Sequence, residues 1–496
     1  MTATPTLARA KAAAPARSPE HVDEQTPDRH TLGLGVVFSA VFGLFGWAVG
    51  ISGLSDNSFF WHLRTGEYIL DHGIPHHDVF SYTAAGTPWV AQSWLAEVTY
   101  GALFRISGAF GVRLFVGLVG ACIGVLAYRL ALRLVRDRAV ACGITLAALA
   151  GIYALWSERP LLIGVLFFLV LLWTVEVPDS LVGRHPMIVL PVVFWLWANV
   201  HGSFALGFTY LGLHLLGRWI DGARPWEGRE RLLLAGAAVG FAVAFVNPYG
   251  AELVTFPISL LSRGDILSHI IEWRSPDFRK IYGFALGIWI AVYVGALARG
   301  RNRVSRRDLV VTLPMLFLAL WALRNVAIAP LVGLPVVARA FARDEERSDG
   351  TRRTIVVGAL SLIAFLGLVI GLRASQQRDF AFATYPVKAM DYVKDNGLLG
   401  TRLLTSDSDS GYVILEYYPE QRVFIDDRYD MYPTKLIYDY FTVDDGKPGW
   451  SKVLDRYDVE TVVWNRGSSF AAQLNASPDW RRVHRDKTRA VWVRSR

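Results

Sequence analysis

Nearly uninterrupted apolar stretches of about 17 to 22 residues, the length a helix needs to cross a hydrocarbon core, recur along most of this 496-residue chain and constrain its fold more than any other feature. Within lipid, a backbone can satisfy its own polar groups only as a helix or a closed barrel, and long unbroken apolar runs select the helix. The chain therefore reads as a polytopic α-helical membrane protein. Spans are expected at about 31–54, 112–133, 139–157, 160–177, 187–199, 203–220, 231–247, 282–299, 308–323, 326–342 and 354–373, roughly eleven in all. The run at 31–54 ends without an A-x-A cleavage site, so it is expected to be a retained helix rather than a signal peptide. The stretch before it, residues 1–30, is rich in Ala, Pro and charge and has no period, as in a disordered cytoplasmic tail.

The net charge is +8, but Lys and Arg sit in short clusters between the apolar runs. That pattern concerns orientation in a membrane and excludes a nucleic-acid partner. Arg9, Lys11 and Arg17 precede the first span, and Arg133, Arg136 and Arg138 follow the second. Arg218, Arg224, Arg229 and Arg231 follow the sixth, Arg299, Arg301, Arg303, Arg306 and Arg307 the eighth, and Arg339, Arg343, Arg347, Arg352 and Arg353 the tenth. All fall on one side if the N-terminus is cytoplasmic. The other connections then lie outside the plasma membrane: 55–111, "SERP" at 157–160, "NVHG" at 199–202, the segment 247–281, and "RN" at 324–325. The two cysteines, Cys122 and Cys142, lie in or beside apolar runs without CxxC spacing, which argues against a disulfide framework or a Cys-bound metal.

From about residue 376 the long apolar runs cease. "YPVKAMDYVKDNG" reads as a helix stopping at Gly397, "TRLLTSD", "QRVFIDD" and "VETVVWN" as strands, "TKLIYDYFTV" and "PGWSKVLDRYD" as helices, and "DWRRVHRD" with "RAVWVRS" as closing strands. Strands alternating with helices predict a small α/β domain, residues 376–496, with a largely parallel sheet. An odd number of spans places it outside the cytoplasm. It has no G-x-G-x-x-G or P-loop for a nucleotide.

The outer connections gather the chemistry. Asp56 opens a predicted amphipathic helix over 57–71, with Phe59, Leu63, Gly66 and Leu70 on one face and Asn57, Arg64 and Glu67 off it. Asp is a favoured N-cap, which by itself accounts for Asp56. A turn at Ala85 to Pro88 leads to a second amphipathic helix, "SWLAEVTYGALFRI", with Ser93 as its cap, and Trp61, Trp89 and Trp94 suit a membrane interface. His62, His76, His77 and Asp78 could bind a divalent metal such as Mg or Mn together with Asp56, although adjacent residues as in "HHD" diverge and equally suit loop-stabilising hydrogen bonds. Arg159, Arg274 and Arg324 could clamp a phosphate, and beside them stand Glu158 and Glu272, for which helix-closing salt bridges are the competing reading. Asn199, His201, Asn247 and Asn325 complete the polar residues at the outer helix ends, where ionisable and polar groups are functional candidates.

This organisation resembles the GT-C superfamily of membrane glycosyltransferases: one span, a large outer loop opening on an Asp with two amphipathic helices, many spans, and an outer α/β domain. "DNSFFWHLRTGEY", Asp56 to Tyr68, is similar to the first loop of oligosaccharyltransferase catalytic subunits and of protein O-mannosyltransferases. "FWHLRTGEYILDHGIPHHDVFSYT", "NVHGSF", "NPYG", "EWRSPDF" and "VFIDDRYDMY" resemble a bacterial group of GT-C-like cell-envelope proteins without an assigned substrate. The resemblance implies sugar transfer from a polyprenyl-phosphate donor to a glycan, lipid or protein acceptor on the outer face. It implies Asp56 as general base or metal-positioning carboxylate, and Arg159, Arg274 and Arg324 on the leaving phosphate. No second acidic pair beside Asp56 and no "WWDYG" motif is present. Two other classes are a non-catalytic GT-C-like scaffold or glycan-binding protein, and a transporter or flippase of a lipid-linked glycan. Transport would need polar residues in the inner halves of the spans, where few are expected beyond the flanking arginines.

Overall fold

The computed structural model of the chain describes residue 2 and residues 33–153, 156–300, 304–343, 353–377 and 380–495. The expected tail lies outside these apart from residue 2, as do Arg9, Lys11, Arg17, Arg301, Arg303, Arg347 and Arg352. The chain is mostly helical, and a helix occupies each of the expected apolar runs. Among the described residues four helices are long and apolar enough to cross a membrane: Trp94–Val135, Ile281–Arg299, Leu323–Ala340 and Thr354–Ser375. Shorter apolar helices, such as Leu34–Gly50, Leu161–Glu176 and Pro186–Val200, pack among them.

The first amphipathic helix is Asn57–His72, capped by Asp56, whose carboxylate accepts from the Phe59 N–H at 3.1 Å. Its buried face carries Phe59, Leu63, Gly66 and Ile69, whereas Leu70 is exposed. The helix ends at Gly73, whose φ of 83° lies in the left-handed region that glycine tolerates. The second amphipathic helix runs into the next apolar run as one segment, Trp94–Val135, broken at Ser107 and Gly108 (φ 65°). Ser93 does not cap it: the Ser93 hydroxyl is buried without a partner. Trp61 and Trp94 are committed to protein acceptors rather than to an interface, with N–H groups donating to Asp427 at 2.5 Å and Asn199 at 2.8 Å.

The two amphipathic helices touch backbone to backbone. A Cβ on Gly66 would lie 1.8 Å from the Glu97 carbonyl oxygen, and one on Gly101 2.6 Å from the Gly66 carbonyl carbon. Arg113, fully buried, donates to Ile51 O at 2.8 Å and Ala374 O at 2.9 Å, tying the first helix to the last apolar one. Four helices, Leu161–Glu176, Phe204–Ile220, Arg306–Trp321 and Ile328–Ala340, are joined at the ends expected to lie inside by buried ions. Glu176 accepts from Arg339 at 2.7 Å and from Arg307, while Asp308 pairs with Arg307 at 2.8 Å and Arg339 at 2.6 Å. His214 and Tyr210 complete the cluster. It corrects the expectation that these ends hold few polar groups beyond arginine: Glu176 and His214 are tolerated there because each meets a guanidinium.

Residues 380–495 carry a four-stranded sheet in the order β1-β2-β4-β3, with β1 Leu403–Leu404, β2 Thr461–Asn465, β3 Trp480–Arg485 and β4 Arg489–Arg494. Only β1 and β2 are parallel, so the expected largely parallel sheet is corrected. A three-residue turn joins β3 to β4, and so short a connection permits only antiparallel pairing. "QRVFIDD" is not a sheet strand. The Val423 N–H donates to Phe80 O, and the Tyr82 N–H to Val423 O, both at 3.0 Å, so the outer loop takes this segment's backbone pairing. "GYVILEYY" lies mostly in the helix Asp407–Tyr417, which packs on Asn57–His72.

Because no side chain fits between Gly66 and Glu97, Gly66→Val is expected to destabilise the protein by about 1–3 kcal/mol or more. A lowered thermal midpoint in detergent checks this, and an unchanged midpoint would contradict the backbone contact.

Candidate functional site

A cavity of about 580 Å³ opens where the loop that follows the first apolar run, the neighbouring ends of several helices and residues 427–430 meet. It has an apolar part, formed by side chains such as Leu161, Val165, Phe168, Leu206, Leu260 and Leu331, and a polar end. At that end Arg159, in the connection before the helix Leu161–Glu176, donates through Nε to Asp56 Oδ1 at 2.8 Å and through Nη1 to Glu272 Oε1 at 2.5 Å. Burial disfavours the Arg159 charge, but Asp56 and Glu272 outweigh it and push the guanidinium above its ordinary range. The same pairing, with Arg324, outweighs burial at Glu272 and lowers its carboxyl. Asp56 itself does not line the cavity. It caps one helix and holds Arg159 with a single oxygen.

Arg324 lines the cavity beside Asn325. Its guanidinium lies 4.5 Å from the Trp273 ring centroid, and it makes no ion pair among the described residues. The ring face stabilises the cation. Glu272 and Asp430 act on this half-buried guanidinium without a direct ion pair to it.

Carboxylates from elsewhere reach the same space. Asp427 accepts from Asn57 at 3.2 Å, from Ser58 and Trp61 each at 2.5 Å, and burial raises its carboxyl to about 7 despite Arg159 and the Ser58 hydroxyl. Burial likewise raises Asp430 to about 6. Glu97 lines the cavity and pairs with His62, Nδ1 to Oε1 at 2.7 Å. Arg428, 1% exposed, is gripped by Asp426 through two bonds of 2.8 and 2.6 Å and by Asp78 at 2.8 Å, with the Trp89 ring 4.4 Å away. Its Nη1 is buried without a partner. Sequence reading passed over Glu97, Asp427, Asp430 and Trp273. The one available signal was the density of charge in "VFIDDRYDMY", masked by the alternating pattern that reads as a strand.

The remaining candidates scatter. His201 lines the cavity, its Nδ1 accepting from the Ser203 N–H at 3.1 Å. Asn199 is buried, accepting from Trp94 and donating to Trp195 O at 2.7 Å. Arg274 turns to the carbonyls of Ser268 and His269, away from the other two arginines. Arg64 pairs with Glu67 at 2.9 Å and donates to the Leu415 carbonyl, so both dock the helix Asp407–Tyr417. Glu158 accepts from the Ser55 N–H at 2.5 Å, and burial raises its carboxyl. Asn247 shapes the "NPYG" turn, placing Tyr249 to donate to Pro75 O at 2.7 Å. The set Asp56, His76, His77 and Asp78 does not converge. Asp78 is spent on Arg428 and Ser81, Asp56 on Arg159, His76 lies against Tyr249, and His77 pairs with Pro88. Among the described residues no three His, Cys, Asp or Glu side chains are grouped to hold a metal ion.

No family model and no curated protein matches the chain. Among solved structures, it aligns with the archaeal oligosaccharyltransferase AglB from Archaeoglobus fulgidus, in complex with an inhibitory peptide and a dolichol-phosphate. The alignment covers 86% of this chain and 69% of that one, at 11% identity and a TM-score of 0.49. So distant a likeness decides neither fold nor activity, and the chemistry rests on the side chains.

A carboxyl whose folded pKa is raised above its unfolded value binds more protons folded than unfolded, so its contribution to stability falls as pH rises between the two. For Asp427 that window runs from the ordinary aspartate value of 3.8 to about 7. Across it, Asp427→Asn is expected to gain stability relative to the parent by at most about 1.4 kcal/mol per pH unit. Denaturant unfolding of both proteins at a series of pH values reads this directly, and a flat difference would contradict it.

Proposed function

We propose that the protein is a membrane glycosyltransferase of GT-C type that takes a sugar from a polyprenyl-phosphate carrier and passes it to an acceptor hydroxyl or amide on the outer face. The observation that carries this reading is Arg324, a guanidinium without a carboxylate partner on a cavity whose other part is apolar. One anionic headgroup with an apolar chain suits both parts at once. Arg159, steadied by Asp56 and Glu272, supplies the second cation beside the phosphate.

In this mechanism the acceptor attacks the sugar's anomeric carbon, the bond from that carbon to the phosphate oxygen breaks, and negative charge gathers on the leaving phosphate. Fixed guanidinium groups in a partly dewatered cavity stabilise that charge more in the transition state than in the ground state. Asp56 serves as the residue that positions Arg159. Polar groups at the far end of the same helices are consumed by Arg307 and Arg339, which supports a transferase over a transporter.

Binding of polyprenyl phosphate to the purified protein in lipid nanodiscs tests the reading. Arg324→Met is expected to weaken binding at least 10-fold, about 1.4 kcal/mol, whereas Arg279→Met, at an exposed outer position, should leave it unchanged. Equal affinity in all three proteins would sink the proposed phosphate site. The same reading places residues 376–496 outside the cell. Protease added to intact cells should then release fragments of this region, and complete protection would refute the topology.

A further inference from the structure

We propose that His62, oriented by Glu97, is the base that removes the proton from the acceptor hydroxyl, an inference that rests on the transferase reading. His62 sits on the helix Asn57–His72 and Glu97 on Trp94–Val135, and the Gly66–Glu97 backbone contact brings these helices close enough for a bond of 2.7 Å between Nδ1 and Oε1. Both side chains are nearly sealed from solvent, at 6% and 1% exposure, yet both line the cavity. Nε2 of His62 has no hydrogen-bond partner among the described residues, and Glu97 Oε2 is buried without one. With the shared proton on Nδ1, the Nε2 lone pair is left for a ligand, the arrangement in which a carboxylate fixes a histidine's tautomer and stabilises the imidazolium that forms.

Two nearby carboxylates are worse placed for this role. Asp56 is engaged by Arg159 and does not line the cavity, and Asp427 is occupied by Asn57, Ser58 and Trp61. Burial, then Arg159, His201 and Arg428 facing it, lowers the His62 pKa well below its ordinary value, so the ring is uncharged at neutral pH, and it is the bond to Glu97 that restores proton affinity to Nε2. Burial raises the Glu97 carboxyl well above its ordinary range, with Arg428 opposing and Asp430 adding to the shift, so the form competent as a base is the one with Glu97 ionised and the shared proton on Nδ1. The step balances. The acceptor O–H proton moves to His62 Nε2, the oxygen's electron pair forms the bond to the anomeric carbon, and the electrons of the breaking carbon–oxygen bond leave on polyprenyl phosphate.

The test measures single-turnover sugar transfer against pH, and polyprenyl phosphate affinity separately, for the parent, His62→Gln, His62→Ala and Glu97→Gln in nanodiscs. His62→Gln should slow transfer by about 10²–10⁴-fold with donor affinity within about 2-fold. Added imidazole should restore part of the activity of His62→Ala. Glu97→Gln should slow transfer and move the acid limb of the pH profile to lower pH, because the imidazolium loses its carboxylate. Unchanged transfer in His62→Gln, or a loss matched by lost donor affinity and unrescued by imidazole, overturns the role of His62 alone. A parent protein that neither binds polyprenyl phosphate nor transfers sugar overturns the transferase reading and this inference with it.

Discussion

The docking of Arg428 is the interaction on which the rest of the site depends. A guanidinium sealed from water is costly unless its charge and N–H groups are matched. Here Asp426 grips it from its own segment and Asp78 from a loop 350 positions earlier in the chain, within a wall formed by Phe80, Trp89 and Tyr432. That pairing fastens residues 426–432 onto the outer loop. Asp427 and Asp430 thereby become part of the cavity wall, and the Val423 backbone pairs with the loop rather than with the sheet.

The same accounting explains where charge occurs in so apolar a chain. At one end of the helices Leu161–Glu176, Phe204–Ile220, Arg306–Trp321 and Ile328–Ala340, Glu176, Asp308, Arg307 and Arg339 neutralise one another among helix ends that cannot part without exposing them. At the other end the matching is incomplete. Arg159 has its two carboxylates, but Arg324 has an aromatic ring and no direct ion pair among the described residues, and His62 and Glu97 each keep an atom unengaged. Saturated ions at one end and unsaturated ones at the other separate architecture from a place where a ligand can bind. About 22 Å of helix, the length of Leu161–Glu176 at the usual rise, lies between them.

Much of the framework was legible in the chain. Apolar length marked a helix at each expected run but not Ala251–Leu261, which lies in a stretch read as a connection, and Asp56 and Gly397 marked where two other helices start and stop, because those signals act over one turn. The site was less so. Asp56 was recognisable as a cap, but its bond to Arg159, 103 positions away, was not. Arg274 and Arg324 look alike in sequence, and only one of them faces the cavity. Glu97 read as one more polar residue on an amphipathic helix, since nothing near it in sequence announces His62 as its partner.

By itself the sequence determined the helices of the long apolar runs, their order, the amphipathic pair after the first of these runs and the region in which polar residues collect. All of these follow from local periodicity and from the cost of leaving backbone groups or charge in an apolar setting. Tertiary structure decided which charges are cancelled and which remain open. It moved Asp78 from candidate ligand to the partner of Arg428, and Asp56 from the cavity to the support behind it. It also brought Asp427, Asp430 and Glu97 to the wall. The physical reason is that a charge's role depends on what lies within a few ångströms of it, and in this fold those neighbours come from segments as far as 370 positions apart in the chain.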